Sequence, residues 1–471
     1  MRTTRAPSRW LGSLVLFAAC TSVDPGADAA DVRAAVQQRA ATDADGPRED
    51  DDATAAVRDL LARPLDEEGA VRVMFLANHR VRSAYERLGI ARADLVQAGL
   101  LRNPVFDLDA RFLFDGGTEV ELGLAAPFVD LFWRPLRTHV AAHEFEAAKL
   151  VVTDALVHAA FAVRSAFVDL RAANSAVELH RADVDAAGSA HQLAVELHGA
   201  GNLTDQALAL ERLGETRARL DLAAAELAAE TARERLHVLL GLWGPDTAWT
   251  LADAPSPDPM AGVDVRYVES RAVAASLDLA AARAGIDALA GRADLASWRS
   301  WLPEGQVGAS AIREPGGDWG LGPRFGMELP LFDTGAAGRA RADATLRASL
   351  HDHAAIAVEI RSIARTLRTR LVHLAARERF LREVHLPQRA EVLRTTLQTY
   401  NAMQIGVFDV LRQRRLELAD QLEHTAVLRD ALRARLDLQQ LLAGAMPKDR
   451  GPAEPPTRTA PDVRDTESRG H

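Results

Sequence analysis

Four short motifs recur in the same order about 200 residues apart, and this duplication limits the possible folds more than any other feature. Leu239-Leu240-Gly241 returns as Leu441-Leu442-Ala443-Gly444, and Ala126-Pro127-Phe128 returns as Leu329-Pro330-Leu331-Phe332. Asn103-Pro104 is echoed by Leu302-Pro303, and Asp205 by Asp409. A period of that length is no solenoid repeat; it marks a duplicated half-molecule. Each half reads helix, strand, strand, long helix, short break, helix. The first repeat is placed at 61–255, with a hairpin over 104–127 and long helices over 138–241. The second is placed at 256–446, with a hairpin over 305–330 and long helices over 336–443. Residues 20–60 are rich in Ala and Asp and read as a flexible tether, with some helix near its end. The segment 447–471 is rich in Pro and charge and reads as a disordered tail.

The strands are legible from their period. Phe106, Leu108, Ala110 and Phe112 alternate with Asp107, Asp109 and Arg111. Beyond the turn at Asp115-Gly116-Gly117, Val120, Leu122 and Leu124 alternate with Glu119, Glu121 and Gly123. One apolar face and one charged face at period two is strand chemistry, and about 9–10 residues is what a tilted membrane strand needs. In the second repeat Trp319, Leu321, Phe325, Met327 and Leu329 oppose Gly320, Gly322, Arg324, Gly326 and Glu328. Pro323 interrupts this strand, and its partner near 306–313 has a weak pattern. Trp133, Trp298, Trp301 and Trp319 gather around the hairpins, either as membrane-interface aromatics or as core.

The helices are the larger feature. Residues 138–198 hold no proline, and 336–400 hold only Pro387. About 60 helical residues span roughly 90 Å, far beyond a globular domain's need. Leu213, Leu220 and Leu227, then Leu411 and Leu418, then Leu428, Leu432 and Leu436 form heptad-like runs that must pack lengthwise on other helices. A net charge of −10 argues against a nucleic-acid partner. No phosphate-binding loop, nucleophile elbow or HExxH motif occurs, so the reading is of a protein that is not an enzyme and takes no cofactor. His139 and His143 stand four apart on a helix, but no third ligand is identifiable, and no metal site is assigned. Arg134 and Arg137 form a basic spot that suits phospholipid headgroups or a solvated helix start.

Arg2, Arg5 and Arg9 precede an apolar stretch from Trp10 to Ala19, too short to span a bilayer and read as a signal peptide over 1–19. Leu16-Phe17-Ala18-Ala19-Cys20 resembles a bacterial lipoprotein box. That resemblance implies that Cys20, the only cysteine, carries lipid of the palmitate type. Thr21 fits sorting to the outer membrane. No later segment offers 18 consecutive apolar residues, so any crossing must use strands closed into a barrel.

Several segments together resemble the outer membrane efflux protein (TolC) family over about residues 65–445. They are Gln97-Ala98-Gly99-Leu100-Leu101-Arg102-Asn103-Pro104, Pro127, the Leu-Leu-Gly ends of both halves, and two breaks. The breaks are GAGNLTDQAL at 199–208 and YNAMQIGVFDVL at 400–411. The resemblance implies a mainly α fold with a small β part. A homotrimer would pool four strands per chain into a twelve-stranded transmembrane β-barrel in outer membrane lipid, above a long helical coiled-coil barrel in the periplasm. It implies an exit duct for efflux or secretion, served by a periplasmic adaptor (membrane fusion) protein and an inner-membrane pump. Metal ions, drugs, dyes or a secreted polypeptide all fit as cargo. Gly199, Thr204 and Asp205 match the first tip turn; Tyr400, Gly406 and Asp409 fall in the second. Met403 stands where the family usually has Gly, and Arg412 where some members place a second entrance carboxylate, leaving one ring of Asp409 carboxylates. Asn202 can cap the returning helix with Asp205 at its third position, as Gly406 and Asp409 do in the other half. A periplasmic adaptor, or a structural coiled-coil lipoprotein without channel activity, is the alternative.

Overall fold

The computed structural model describes residues 26–42, 50–112, 114, 117–253, 258–301, 304–328, 331–332 and 334–447. The signal segment 1–19, Cys20 and nearly all of the tail lie outside the described residues. In chain order the helices are α1 (Gly26–Ala40), α2 (Asp50–Leu61), α3 (Glu67–Ala77), α4 (His79–Gly99), α5 (Asp130–Gly199) and α6 (Asp205–Leu240). They continue with α7 (Val268–Ala275), α8 (Leu277–Trp301), α9 (Ala336–Phe380), α10 (Leu386–Asn401) and α11 (Val407–Leu442). The strands are β1 (Val105–Phe112), β2 (Thr118–Pro127), β3 (Gly305–Arg313) and β4 (Trp319–Met327). Two compact units result, one of residues 1–35, 82–152 and 281–351, the other of 36–81, 153–280 and 352–471.

The first unit holds a single antiparallel sheet in the order β1-β2-β3-β4. Each repeat supplies one hairpin, and β2 pairs with β3 to join them, Val120 facing Arg313 and Pro127 facing Gln306. β1 and β4 are therefore edges within one chain. Pro323 sits in β4, the kind of strand where a missing ladder donor is tolerated. Below the sheet Leu88, Val129, Trp133, Val140 and Phe145 are buried. Trp133 is only 2% exposed, which corrects its assignment to a membrane interface. Val129, Trp133 and Val140 recur at intervals of four and seven, one helical face, and that face turns inward. Trp298, Trp301 and Trp319 are exposed.

The second unit is helical. Its core gathers Val268, Ala272, Ile360, Ala364, Leu371, Ala434 and Leu438 from α7, α9 and α11. An 18-residue window of α5 is long and apolar enough to cross a membrane, but 61% of it is buried, as in a core helix. The helix expected over 67–99 is two, broken at Asn78. The Asn78 amide donates to the Leu239 carbonyl (2.7 Å), and its Oδ1 accepts from the Arg80 N–H (2.8 Å). One asparagine thus ends α3 and caps α4. Pro387 enters the first turn of α10, after a π-helical turn at Leu381–His385 that widens the helix ahead of it. Around that turn α11 is tied back by Glu378 to His424 (3.2 Å) and by Asp420 to His385 (3.1 Å) and Arg389 (2.5 Å).

The tether reading of 20–60 is corrected over its described part. α1 and α2 are docked helices with Val32, Val36, Ala40, Ala53 and Val57 buried. Arg39 fixes the end of α1 by donating to the carbonyls of Ala275 (2.8 Å) and Ala443 (2.7 Å), the C-terminal ends of α7 and α11. A cation at two helix C-termini satisfies orphan carbonyls and matches both dipoles. The chain passes this point through Gly444 at φ +103°, where a Cβ would stand 2.2 Å from the Ala275 carbonyl oxygen.

Candidate functional site

The sheet is the first element of the site. Directly paired residues share a face, so the register assigns every side chain. One face carries Phe106, Leu108 and Ala110 of β1 against Leu124, Leu122 and Val120 of β2. It continues through Val307, Ala309 and Ala311 of β3 to Phe325, Pro323 and Leu321 of β4. This apolar surface is unbroken until Arg313 beside Trp319, and its large residues stay exposed, Phe106 at 64% and Leu321 at 82%. The opposite face carries Asp107, Asp109, Arg111, Glu119, Glu121 and Arg324 with several glycines. Arg111 pairs there with Asp109 (3.1 Å) and Glu119 (3.9 Å). Arg324 of β4 reaches Asp107 of β1 at 3.8 Å, passing over Gly123. In a flat sheet those strands stand about 14 Å apart. The contact across the whole sheet shows that the charged face is concave and the apolar face convex.

At the base of the sheet an ion cluster around the buried Asp130 links both hairpins. The Asp130 side chain, 1% exposed, accepts from Arg102 Nε (2.9 Å) and Nη2 (2.8 Å) and from Arg137 Nη1 (3.5 Å). Arg102 also reaches Glu304 ahead of β3 (3.3 Å), and Arg137 donates to the Leu100 carbonyl (3.1 Å). The hydrogen bonds from Arg102 hold the Asp130 carboxyl below the usual aspartate range. Arg137, read as half of a headgroup-facing spot, is turned inward instead. His139 and His143 meet edge to face at 4.6 Å, and no cluster of three potential metal ligands occurs among the described residues.

The two breaks are the second element, and they are built alike. After α5, the Asn202 N–H bonds to the Leu197 carbonyl (2.8 Å) and the Gly201 N–H to that of His198 (2.9 Å). After α10, the Gln404 N–H bonds to Thr399 (3.1 Å) and the Met403 N–H to Tyr400 (2.8 Å). Both are Schellman closures, with Gly201 at φ +75° and Met403 at φ +58° in the same left-handed position. Gly199 has ordinary helical geometry as the last residue of α5. The next helices start from Thr204, whose Oγ1 accepts from the Ala207 N–H (3.2 Å), and from Gly406. Thr204 rather than Asn202 is thus the cap, and Asp205 is the first helical residue. Since Thr204 corresponds to Gly406, Asp205 matches Val407, and Asp409 lies two places further on. The Asp205–Asp409 echo is out of register. Asp205 pairs across its turn with His198 (2.7 Å), a partner that sequence spacing did not suggest. Asp409 lies 3.5 Å from Arg412. Tyr400 is half-exposed at the end of α10. No hydrogen bond or ion pair joins Asp205 to Asp409 among the described residues.

A test of the shared turn follows. A Cβ at Gly201 meets nothing within 4 Å, so Gly201→Ala costs only its backbone conformation, about 1 kcal/mol. Met403→Gly is expected to stabilise the second turn by about the same amount. Amide hydrogen exchange at Asn202 and Gln404 reads both, faster in the first variant and slower in the second.

The third element is a seam on α6. Leu210, Leu213, Leu220, Leu227 and Val238 are each 60–65% exposed. With Arg217, Ala224 and Thr231 they complete a three-four spacing along one face. The expected heptad run exists, but within one chain it stays largely exposed. Leu418, Leu432 and Leu436 are buried, as expected of packed helices.

No protein-family model matches the chain, and no curated protein matches its sequence. Solved structures do match. The chain is similar to CusC, described as forming a transmembrane channel, with TM-score 0.66 and 15% identity over 80% of this chain and 92% of that one. It is similar to the outer membrane protein VceC of Vibrio cholerae, with TM-score 0.61 and 16% identity over 84% and 96%. It is also similar to the open outer membrane channel MtrE of Neisseria gonorrhoeae, with TM-score 0.62 and 17% identity over 81% and 90%. The open four-stranded sheet, the long helices and the paired turns are thus those of a known architecture, and this chain has the TolC-type outer membrane channel fold.

Proposed function

We propose that the protein is the outer membrane duct of a tripartite efflux or secretion system, through which small molecules or ions pass without any bond being made or broken. One observation carries this reading: a curved sheet with an apolar convex face, a charged concave face and two unpaired edges. In hydrocarbon every backbone N–H and C=O must find a partner, so β1 of one copy has to pair with β4 of another until the ring closes. Three copies give twelve strands. At a spacing of about 4.8 Å and a tilt near 40°, the ring is roughly 24 Å across between backbones, wide enough for a water-filled lumen. The α6 seam is the complementary surface in the helical part, where neighbouring copies cover it. The paired turns are the surface to which an adaptor of an inner-membrane pump docks. Acylation of Cys20 adds a lipid tether in the same reading.

Reconstitution in planar bilayers tests the proposal. The protein is expected to open large, salt-filled conductances, and a chain that leaves bilayers sealed rules the duct out. Asp409→Ala removes one carboxylate per chain from the first turn of α11. It is expected to lower the cation-to-anion permeability ratio by roughly twofold or more. An unchanged ratio leaves Asp409 as a helix-end residue.

A further inference from the structure

A cavity of about 180 Å³ lies in the helical unit between α5 and α11, with Glu67 of α3 also in its lining. Its floor is apolar, formed by Val168 and Ala172 of α5 with Leu428, Leu432 and Leu436 of α11. Its rim is cationic, with Arg171, Arg429 and Arg435. Arg429 spends Nε and Nη2 on Asp430 (3.0 and 2.8 Å). Arg435 gives Nη1 to the Asp258 carbonyl (3.0 Å). The remaining N–H groups of these two guanidinium groups, and the Gln439 side chain at the same rim, have no partner among the described residues. Glu67 is the single carboxyl lining the space, and Arg164 already stands 3.6 Å from it. Desolvation raises that carboxyl above its usual range, and Arg164, Arg435 and Arg171 oppose the rise. The lining thus sets three arginines and one carboxyl around an apolar pocket, with guanidinium N–H groups of Arg429 and Arg435 left open.

We propose that this cavity binds a small amphiphilic anion, an aryl or short-chain acyl carboxylate. The head lies on Arg429 and Arg435, and the body lies on Val168, Leu428 and Leu432. Size supports the class: a dry cavity of about 150 Å³ accommodates benzene, so 180 Å³ takes one ring or a short chain and no more. A carboxylate satisfies open guanidinium donors with charge-assisted hydrogen bonds, which a neutral ligand of equal shape cannot do. Each occupied site would be a wedge between the long helix of one repeat and the returning helix of the other. The proposal does not depend on the duct reading, because binding rather than conductance is measured.

Isothermal titration of the full-length protein in a neutral maltoside detergent tests it, with benzoate, benzyl alcohol and acetate as probes. Benzoate is expected to bind saturably, one per chain, at least tenfold tighter than either benzyl alcohol, which lacks the charge, or acetate, which lacks the body. Arg435→Gln is expected to weaken benzoate about tenfold, and Ala172→Phe, which fills the floor, to abolish it. Equal affinity for acetate and benzoate, or benzoate binding untouched by Arg435→Gln, overturns the proposal. If Ala172→Phe lowers the melting temperature instead of simply filling the space, the three-probe comparison on the unaltered chain still decides.

Discussion

A chain carrying Leu220→Asp and Leu227→Asp is expected to run as a single subunit in mild detergent, whereas the proposed duct requires the unaltered chain to run as a trimer. Both leucines lie near the middle of the α6 seam and are more than 60% exposed in one chain. Covering a leucine fully contributes about 1.5–3 kcal/mol, and each interface of the proposed ring would bury both. An aspartate in the same place adds the cost of taking an unpaired charge out of water. The pair of changes therefore removes several kcal/mol per interface while leaving the chain's own core intact, since neither leucine touches it. Light scattering with detergent correction gives the mass, and circular dichroism checks that helix content is unchanged. A trimer that survives both substitutions would show that the seam faces something other than a second copy. Loss of conductance should accompany loss of the trimer, because four strands cannot close a ring.

Asp130→Asn is expected to cost about 2 kcal/mol of stability at neutral pH, since the carboxylate is buried while Arg102 keeps part of its side chain in water. The carboxylate is 1% exposed and receives two arginines, so its removal leaves Arg102 and Arg137 facing each other without the group that joins them. The pH dependence has a definite sign. The folded-state pKa of Asp130 lies below that of an unfolded aspartate, near 3.9. Its stabilisation is then fully present above about pH 4 and disappears as the pH falls through the lower, folded value. The gap between unaltered and variant chains should stay constant from pH 8 to about pH 5 and narrow only below pH 4. A gap that already shrinks between pH 7 and 5 would mean that another group carries the effect. Because Arg102 also holds Glu304, the same variant should loosen the base of the second hairpin, read as faster exchange of the Glu328 amide, which bonds to the Glu304 carbonyl (3.1 Å).

Much of this site could be read from the chain alone, and the reasons differ from place to place. β1 and β2 announce themselves because Phe106, Leu108, Leu122 and Leu124 are large and strictly alternate with charges. β3 does not, since Ala309 and Ala311 on its outer face differ little in hydropathy from Gly308 and Ser310 on its inner face. Only pairing with β2 and β4 reveals which side each takes. The paired turns were visible as breaks, but their register was not. Two aspartates in similar surroundings suggested an equivalence that the hydrogen bonds of Asn202 and Gln404 place two residues out of step. Trp133 looked interfacial because of its neighbours in sequence, whereas its burial is set by Val129 and Val140 on the same helical face. The docking of α1 was hidden for another reason. Its partners, Ala275 and Ala443, are 236 and 404 residues away, and an Ala- and Asp-rich segment carries no local sign of them.

That last contact has a consequence for how the molecule is made. Arg39 and the carbonyl it seals at Ala443 are 404 residues apart, so synthesis makes the guanidinium well before its partner. Until that carbonyl arrives, Arg39 lacks one of its two helix-end partners. Contacts so distant along the chain are slow to form. The end of α1 therefore works as a latch on α11: it is fully anchored only once that helix is in place. A truncated product lacking α11 leaves that end of α1 with one anchor of two, a locally loosened state open to proteolysis.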